Sequence, residues 1–81
     1  MIYDLHWDPE LYKTYASLPA PARRELAAAL IDAQADPLSA TLPYGHDDGV
    51  IRLLETGSTL TVLLICHTKM KLAPVQITFV G

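Results

Sequence analysis

The chain reads as a small α+β domain, with a helical hairpin packed on one face of a small, mainly antiparallel sheet in the order β-α-α-β-β-β. Three observations carry this reading. The first seven residues alternate with period two; residues 9–35 switch to helical spacing, broken once by Pro19; and residues 50–80 return to short strand-like runs separated by turn residues. Helices on one side of an antiparallel sheet bury both apolar surfaces with the fewest elements. With 81 residues and 8.9 kDa, one domain over residues 1–81 is all the chain can build.

Ile2 to Trp7 is the first strand, with Tyr3, Leu5 and Trp7 on one side and Ile2, Asp4 and His6 on the other. Asp8-Pro9-Glu10 opens a short helix: Asp8 caps it, Pro9 has its φ preset for a first turn, and Glu10 suits the positive end of the dipole. Leu11, Tyr15 and Leu18 recur at helical spacing, and Pro19 ends the run. The second helix starts near Pro21 and carries the stripe Ala22, Leu26, Ala29, Leu30 and Ala33, until Asp36-Pro37 stops it.

Residues 36–49 are turn-rich and hold no periodicity, so they are expected to be the longest loop. Val50–Glu55 and Thr59–His67 read as strands joined by a Gly57-Ser58 hairpin turn. The near-continuous apolar run from Leu60 to Cys66 is expected to be a central strand buried on both faces, with Cys66 a small core residue. After a turn at Lys69-Met70-Lys71, Val75–Val80 is the last strand; Pro74, which cannot donate to a ladder, marks its start or an edge.

Composition excludes several classes. Half the residues are apolar (51 %) and 19 % charged, which is not the profile of a disordered chain. A single cysteine rules out an internal disulfide. No apolar run approaches the roughly 20 residues that span a bilayer, and no signal peptide is visible, so a cytoplasmic protein without membrane association is expected. The net charge of −3 is unlike that of most dedicated nucleic-acid binders. It is unevenly placed: residues 1–48 hold three basic and eight acidic groups, whereas residues 49–81 hold Arg52, Lys69 and Lys71 against Glu55 alone.

The candidate phosphate- or partner-binding residues are therefore Arg52, His67, Lys69 and Lys71. A guanidinium holds phosphate bidentately; an ion pair of Arg52 with Glu55 or with the Asp47-Asp48 segment is the structural alternative. Cys66 and His67, adjacent on a strand, point to opposite faces and cannot form a nucleophile–base dyad. His46-Asp47-Asp48 matches no metal-ligand spacing, and no nucleotide, hydrolase or redox motif occurs, so neither metal nor cofactor is expected. The aromatic residues Trp7, Tyr3, Tyr12, Tyr15 and Tyr44 look scattered, with Tyr12 and Tyr15 facing a partner or the core.

The order of elements, together with Tyr3-Asp4-Leu5-His6-Trp7, the Leu18-Pro19 break, Asp36-Pro37, Gly49-Val50-Ile51-Arg52-Leu53, Val62-Leu63-Leu64-Ile65 and Val75-Gln76-Ile77-Thr78-Phe79-Val80, resembles the RelE/ParE superfamily, the toxins of bacterial type II toxin–antitoxin pairs. The resemblance implies ribosome-dependent mRNA cleavage or action on DNA gyrase, and silencing by an antitoxin. Arg52 matches the family's basic residue on the second strand. Leu54 stands where a second basic residue is usual, and Leu60 or Thr61 where an arginine is usual. The chain ends at Gly81, where the family's catalytic C-terminal segment is expected to begin. A catalytically silent binding module of the same fold, or a small homodimeric α+β domain, is the alternative.

Overall fold

The computed structural model describes residues 2–81. It is α+β, with strand β1 (Asp4–Leu5), helices α1 (Pro9–Ala16), α2 (Ala20–Ala35) and α3 (Pro37–Ala40), and strands β2 (Leu42–Pro43), β3 (Ile51–Glu55), β4 (Thr59–Cys66) and β5 (Lys71–Phe79). The five strands form one sheet in the order β1-β5-β4-β3-β2, with β1 parallel to β5 and every other pair antiparallel.

The helix boundaries follow local chemistry. Asp8 caps α1 by accepting from the backbone N–H groups of Glu10 and Leu11, both at 3.1 Å. Arg23 of α2 reaches back to the carbonyls of Ala16 and Leu18, each at 3.3 Å, and so satisfies acceptors freed where α1 ends. The predicted stripe of α2 is the buried one: Ala22, Leu26, Leu30 and Ala33 meet Leu18, Leu54, Leu63, Ile65 and Leu72 in the core. Leu5, Trp7, Tyr15 and Ile77 pack against this cluster. Each leucine so removed from water contributes roughly 2 kcal/mol.

β1 is shorter than the alternating run 2–7, because β5 offers it a partner only at Lys71 and Leu72. Gln34 at the end of α2 completes its anchoring: its carbonyl accepts from the Tyr3 N–H (2.8 Å) and its side-chain amide donates to the Tyr3 carbonyl (2.9 Å).

Four expectations need correction. Residues 36–49 are not a plain loop, since they contain α3 and β2. The Asp36 carboxylate accepts from the Ser39 N–H, Thr41 Oγ1 donates to the Pro37 carbonyl at 2.6 Å, and Leu42 and Pro43 pair with Leu53 and Arg52. One helical turn and a two-residue strand have no period to detect. The last strand begins at Lys71, not Val75. Pro74 lies inside it at a bulge, where Val62 pairs with Gln76 and Leu63 with Pro74, and Val75 is the extra residue. Beyond Leu72 the outer side of β5 has no strand neighbour among the described residues, so Pro74 does stand on an edge. β4 is central but buried throughout on one face only: Thr59, Thr61, Leu63 and Ile65 are buried towards the helices, whereas Leu64 and Cys66, on the other face, are exposed. Cys66 is accordingly not a core residue.

Candidate functional site

The four candidate residues fall into three environments, separated by the two faces of the sheet. Arg52 lies on the helix side of β3, opposite Leu63 of β4 and Pro43 of β2. It is only 7 % exposed, covered by residues 38–47. Its Nε donates to Thr41 Oγ1 (2.9 Å), Nη1 to Asp47 Oδ1 (2.9 Å), and Nη2 to the carbonyls of Leu38 (3.1 Å) and Thr41 (2.8 Å). Thr41 Oγ1 in turn donates to the Pro37 carbonyl. A buried guanidinium must have its donors met, and here the segment from Pro37 to Asp47 meets them. Arg52 thereby ties α3 and β2 to the sheet. The carboxylate partner is Asp47, whose side chain stays largely in solvent.

His67, just past β4, sits in a short polar chain. Its Nε2 lies 2.6 Å from the Gly49 carbonyl and its Nδ1 lies 3.1 Å from Tyr3 Oη. A carbonyl only accepts, so Nε2 carries a proton, and in the neutral ring Nδ1 accepts from the tyrosine. The two rings meet edge to face at 6.0 Å. Gly49 holds a φ of +72° to present its carbonyl this way. Next to it, Asp48 Oδ1 accepts from the N–H groups of Val50 (2.9 Å) and Ile51 (3.1 Å), and these bonds hold its carboxyl below the ordinary 3.8. Tyr3, Gly49 and Asp48 were not among the sequence candidates. Only the turn pair Asp48-Gly49 carried a local signal for them.

Lys69 and Lys71 flank the β4–β5 turn, where Met70 takes a φ of +53°. Lys71 lies opposite Cys66 in the ladder, on the face away from the helices, with Asp4 of β1 on its outer side. The exposed Cys66 thiol is 3.5 Å from Thr68 Oγ1. That hydroxyl, then the Lys69 backbone N–H and the Lys69 charge, lower its pKa from the ordinary 9.0. Lys69 and Lys71 thus lie in and beside the turn that follows His67, while Arg52 lies on the opposite face from Lys71.

The face that bears Lys71 is apolar over β2, β3 and β4, where Leu42, Ile51, Leu53, Leu60, Val62 and Leu64 form it, and more polar over β5, where Gln76 and Thr78 lie on it; among the described residues no helix lies against it. On the helix side, Trp7, Tyr12 and Tyr15 are not scattered: their ring centroids lie 5.0–5.7 Å apart beside a shallow groove of about 290 Å³ closed by Ile31 and Gln34. A second depression of about 490 Å³, between α2, α3 and β3, is lined by Asp32, Ser39 and Leu54, with Glu55 at its border where β3 ends. Among the described residues, no helix is long and apolar enough to cross a membrane, and no three His, Cys, Asp or Glu side chains are grouped to hold a metal.

No protein-family model matches the chain, and no curated protein matches it in sequence. Solved structures do match. A chain of the RelBE2 toxin–antitoxin complex from Mycobacterium tuberculosis superposes with a TM-score of 0.81 at 11 % identity, covering 98 % of this chain and 92 % of that one. The free state of an E. coli RelE double mutant gives 0.80 at 18 % identity, covering 98 % and 84 %. Isolated E. coli RelE toxin gives 0.80 at 17 %, covering 98 % and 85 %. The chain therefore has the fold of the RelE toxins, the fold implied by the resemblance in its sequence.

Proposed function

We propose that the chain is the toxin-type half of a bacterial type II toxin–antitoxin pair, acting in the cytoplasm and held in check by an antitoxin-like protein. The observation that carries this reading is the RelE fold, matched over 98 % of the chain, one of the matching structures being a toxin–antitoxin complex. The target is the translating ribosome with its mRNA, or DNA gyrase. The surface assigned to that contact is the β4–β5 turn with Lys69 and Lys71, whose ammonium groups attract phosphate or an acidic protein patch without a fixed geometry. Arg52 acts as a positioning residue, because its hydrogen bonds are spent on the segment from Leu38 to Asp47. His67 positions Gly49 and Tyr3 in the same manner.

That commitment of Arg52 favours a second reading, a catalytically silent binding module on the same scaffold. Phosphodiester cleavage without a metal needs a general base, a general acid and charge stabilisation, and here the arginine best suited to stabilise charge is engaged inside the protein.

Tightly controlled induction in a bacterial host separates the two readings. A toxin arrests growth, and the double variant Lys69→Ala with Lys71→Ala relieves the arrest while its thermal melt matches the wild type. Ribosome-associated mRNA ends and gyrase-linked DNA breaks, scored in the arrested cells, identify the target. Soluble protein that leaves growth untouched in hosts containing both targets refutes the toxin reading and leaves the binding module.

A further inference from the structure

The uncovered sheet face is self-complementary. Its centre is Leu42, Ile51, Leu53, Leu60, Val62 and Leu64, with Ala73 beside Leu64. Leu42, Ile51 and Leu64 are 52 %, 40 % and 43 % exposed, whereas Val62, flanked by these larger neighbours, is 8 % exposed. A contiguous apolar surface of this kind is rarely left to water in a monomer. The charges of strands β3 and β5 on this face stand at opposite corners. Glu55 ends β3 beside Leu60, and Lys71 opens β5 beside Cys66. Asp4 lies outside Lys71 on the rim, and Lys69 adds a second cation in the adjoining turn.

We propose that this face is the interface of a two-fold symmetric homodimer in which Glu55 of each copy lies against Lys71 of the other. A two-fold axis in the plane of the interface, running across the strands from near Ile51 to near Gln76 and passing between Val62 and Leu64, exchanges the Glu55 and Lys71 corners. The same operation lays the apolar centre of one copy on that of the other. Other in-plane axes leave the two charges against apolar surface or like against like. A second copy thus supplies the chemistry the face lacks, apolar cover in the middle and an opposite charge at each of the two corners, in one isologous contact.

The size of the face sets the strength. Strands β2 to β5, with 2, 5, 8 and 9 residues at about 3.3 Å by 4.8 Å each, give roughly 380 Å² of projected surface per copy. With side-chain relief this reaches only the low end of specific interfaces, the size class of weak and reversible association. Cys66, the sole thiol of the chain, lies on the covered area beside Lys71 and away from the axis, so it is shielded in the dimer and does not meet its own copy. This inference does not rest on the toxin reading; a target contact through Lys71 belongs to the dissociated chain, which prevails at low concentration.

Sedimentation of the full chain alone, at concentrations from about 1 to about 200 μM, tests the proposal. The mass rises from 8.9 kDa toward twice that value, and alkylation of Cys66 slows over the same range. Either Glu55→Lys or Lys71→Glu weakens association about tenfold, and the two together restore it, because each corner then again carries opposite charges. Leu64→Lys at the centre abolishes the dimer, with circular dichroism confirming that the chain is folded. A chain that stays at 8.9 kDa throughout overturns the proposal, even if it gains mass on meeting some other protein. Association that survives both single reversals, or is not rescued by the double one, overturns it as well.

Discussion

Leu63 and Leu64 are neighbours on one strand, identical in chemistry, and they meet opposite fates. Leu63 is fully buried against the helices, with Leu26, Leu30 and Ile65 among the residues of its cluster, whereas Leu64 is 43 % exposed on the face the helices do not reach. The two sides of β4 differ only in what the rest of the chain lays over them. A helical layer follows from the amphipathic stripe of α2, and the described residues supply no second layer for the other side. An apolar strand in a small α+β domain is therefore a statement about partners as well as about the core.

The comparison is broken most severely at its buried end. Leu63→Ala removes a fully enclosed side chain and costs about 3 kcal/mol in chemical denaturation, whereas Leu64→Ala, measured at concentrations low enough to keep the chain dissociated, costs less than about 1 kcal/mol. Similar losses at both positions would mean that something covers the open face within the monomer.

Arg52→Met comes next. It keeps the stem of the side chain and removes the donors that satisfy Thr41, Leu38 and Asp47, and it lowers stability by about 2–3 kcal/mol. Hydrogen exchange should show the loss concentrated in residues 37–47. Asp47→Asn costs far less, because the Asp47 carboxylate already sits in water.

A smaller effect, of opposite sign, tests the covered face. Thr61 is wholly buried, and its Oγ1 finds no hydrogen-bond partner among the described residues. Thr61→Val keeps the shape, removes the unsatisfied hydroxyl and raises the melting free energy by about 1 kcal/mol. A destabilised variant would show that the hydroxyl is in fact bonded.

The smallest effect is on reactivity rather than stability. Cys66 has its pKa lowered by the Thr68 hydroxyl and then by Lys69. The thiolate is the reactive form, so the pH midpoint of its alkylation lies below 9.0. Thr68→Val moves the midpoint back up, and a midpoint unchanged by that substitution would remove the hydroxyl from the account.

Much of the fold was legible because its signals are local and periodic. The Asp8-Pro9-Glu10 start, the Leu26–Leu30–Ala33 stripe, the Asp36-Pro37 stop and the Gly57-Ser58 turn each bias a few consecutive dihedral angles. Elements held by distant partners were not legible. β2 exists because Leu42 and Pro43 meet Leu53 and Arg52, and β5 begins early because Asp4 and Leu5 arrive beside Lys71 and Leu72. The candidate site shows the same division. That Lys69, Lys71 and His67 share one turn region was readable from their nearness in sequence, but the role of Arg52 depended on which face of β3 would be roofed by residues 37–47.

The sequence by itself determined the fold class, the order of the main elements, the buried face of α2 and the resemblance to the RelE/ParE superfamily, since all of these rest on periodicity and punctuation within short stretches. The tertiary structure alone decided that Arg52 is enclosed rather than offered to a ligand, that Tyr3, His67 and Gly49 join in one polar chain, that Trp7, Tyr12 and Tyr15 gather, and that the helices of the described residues cover only one face of the sheet. The reason is physical. Alternation tells which residues share a face of a strand, but a face becomes core or surface only when another element, distant in the chain, comes to lie on it.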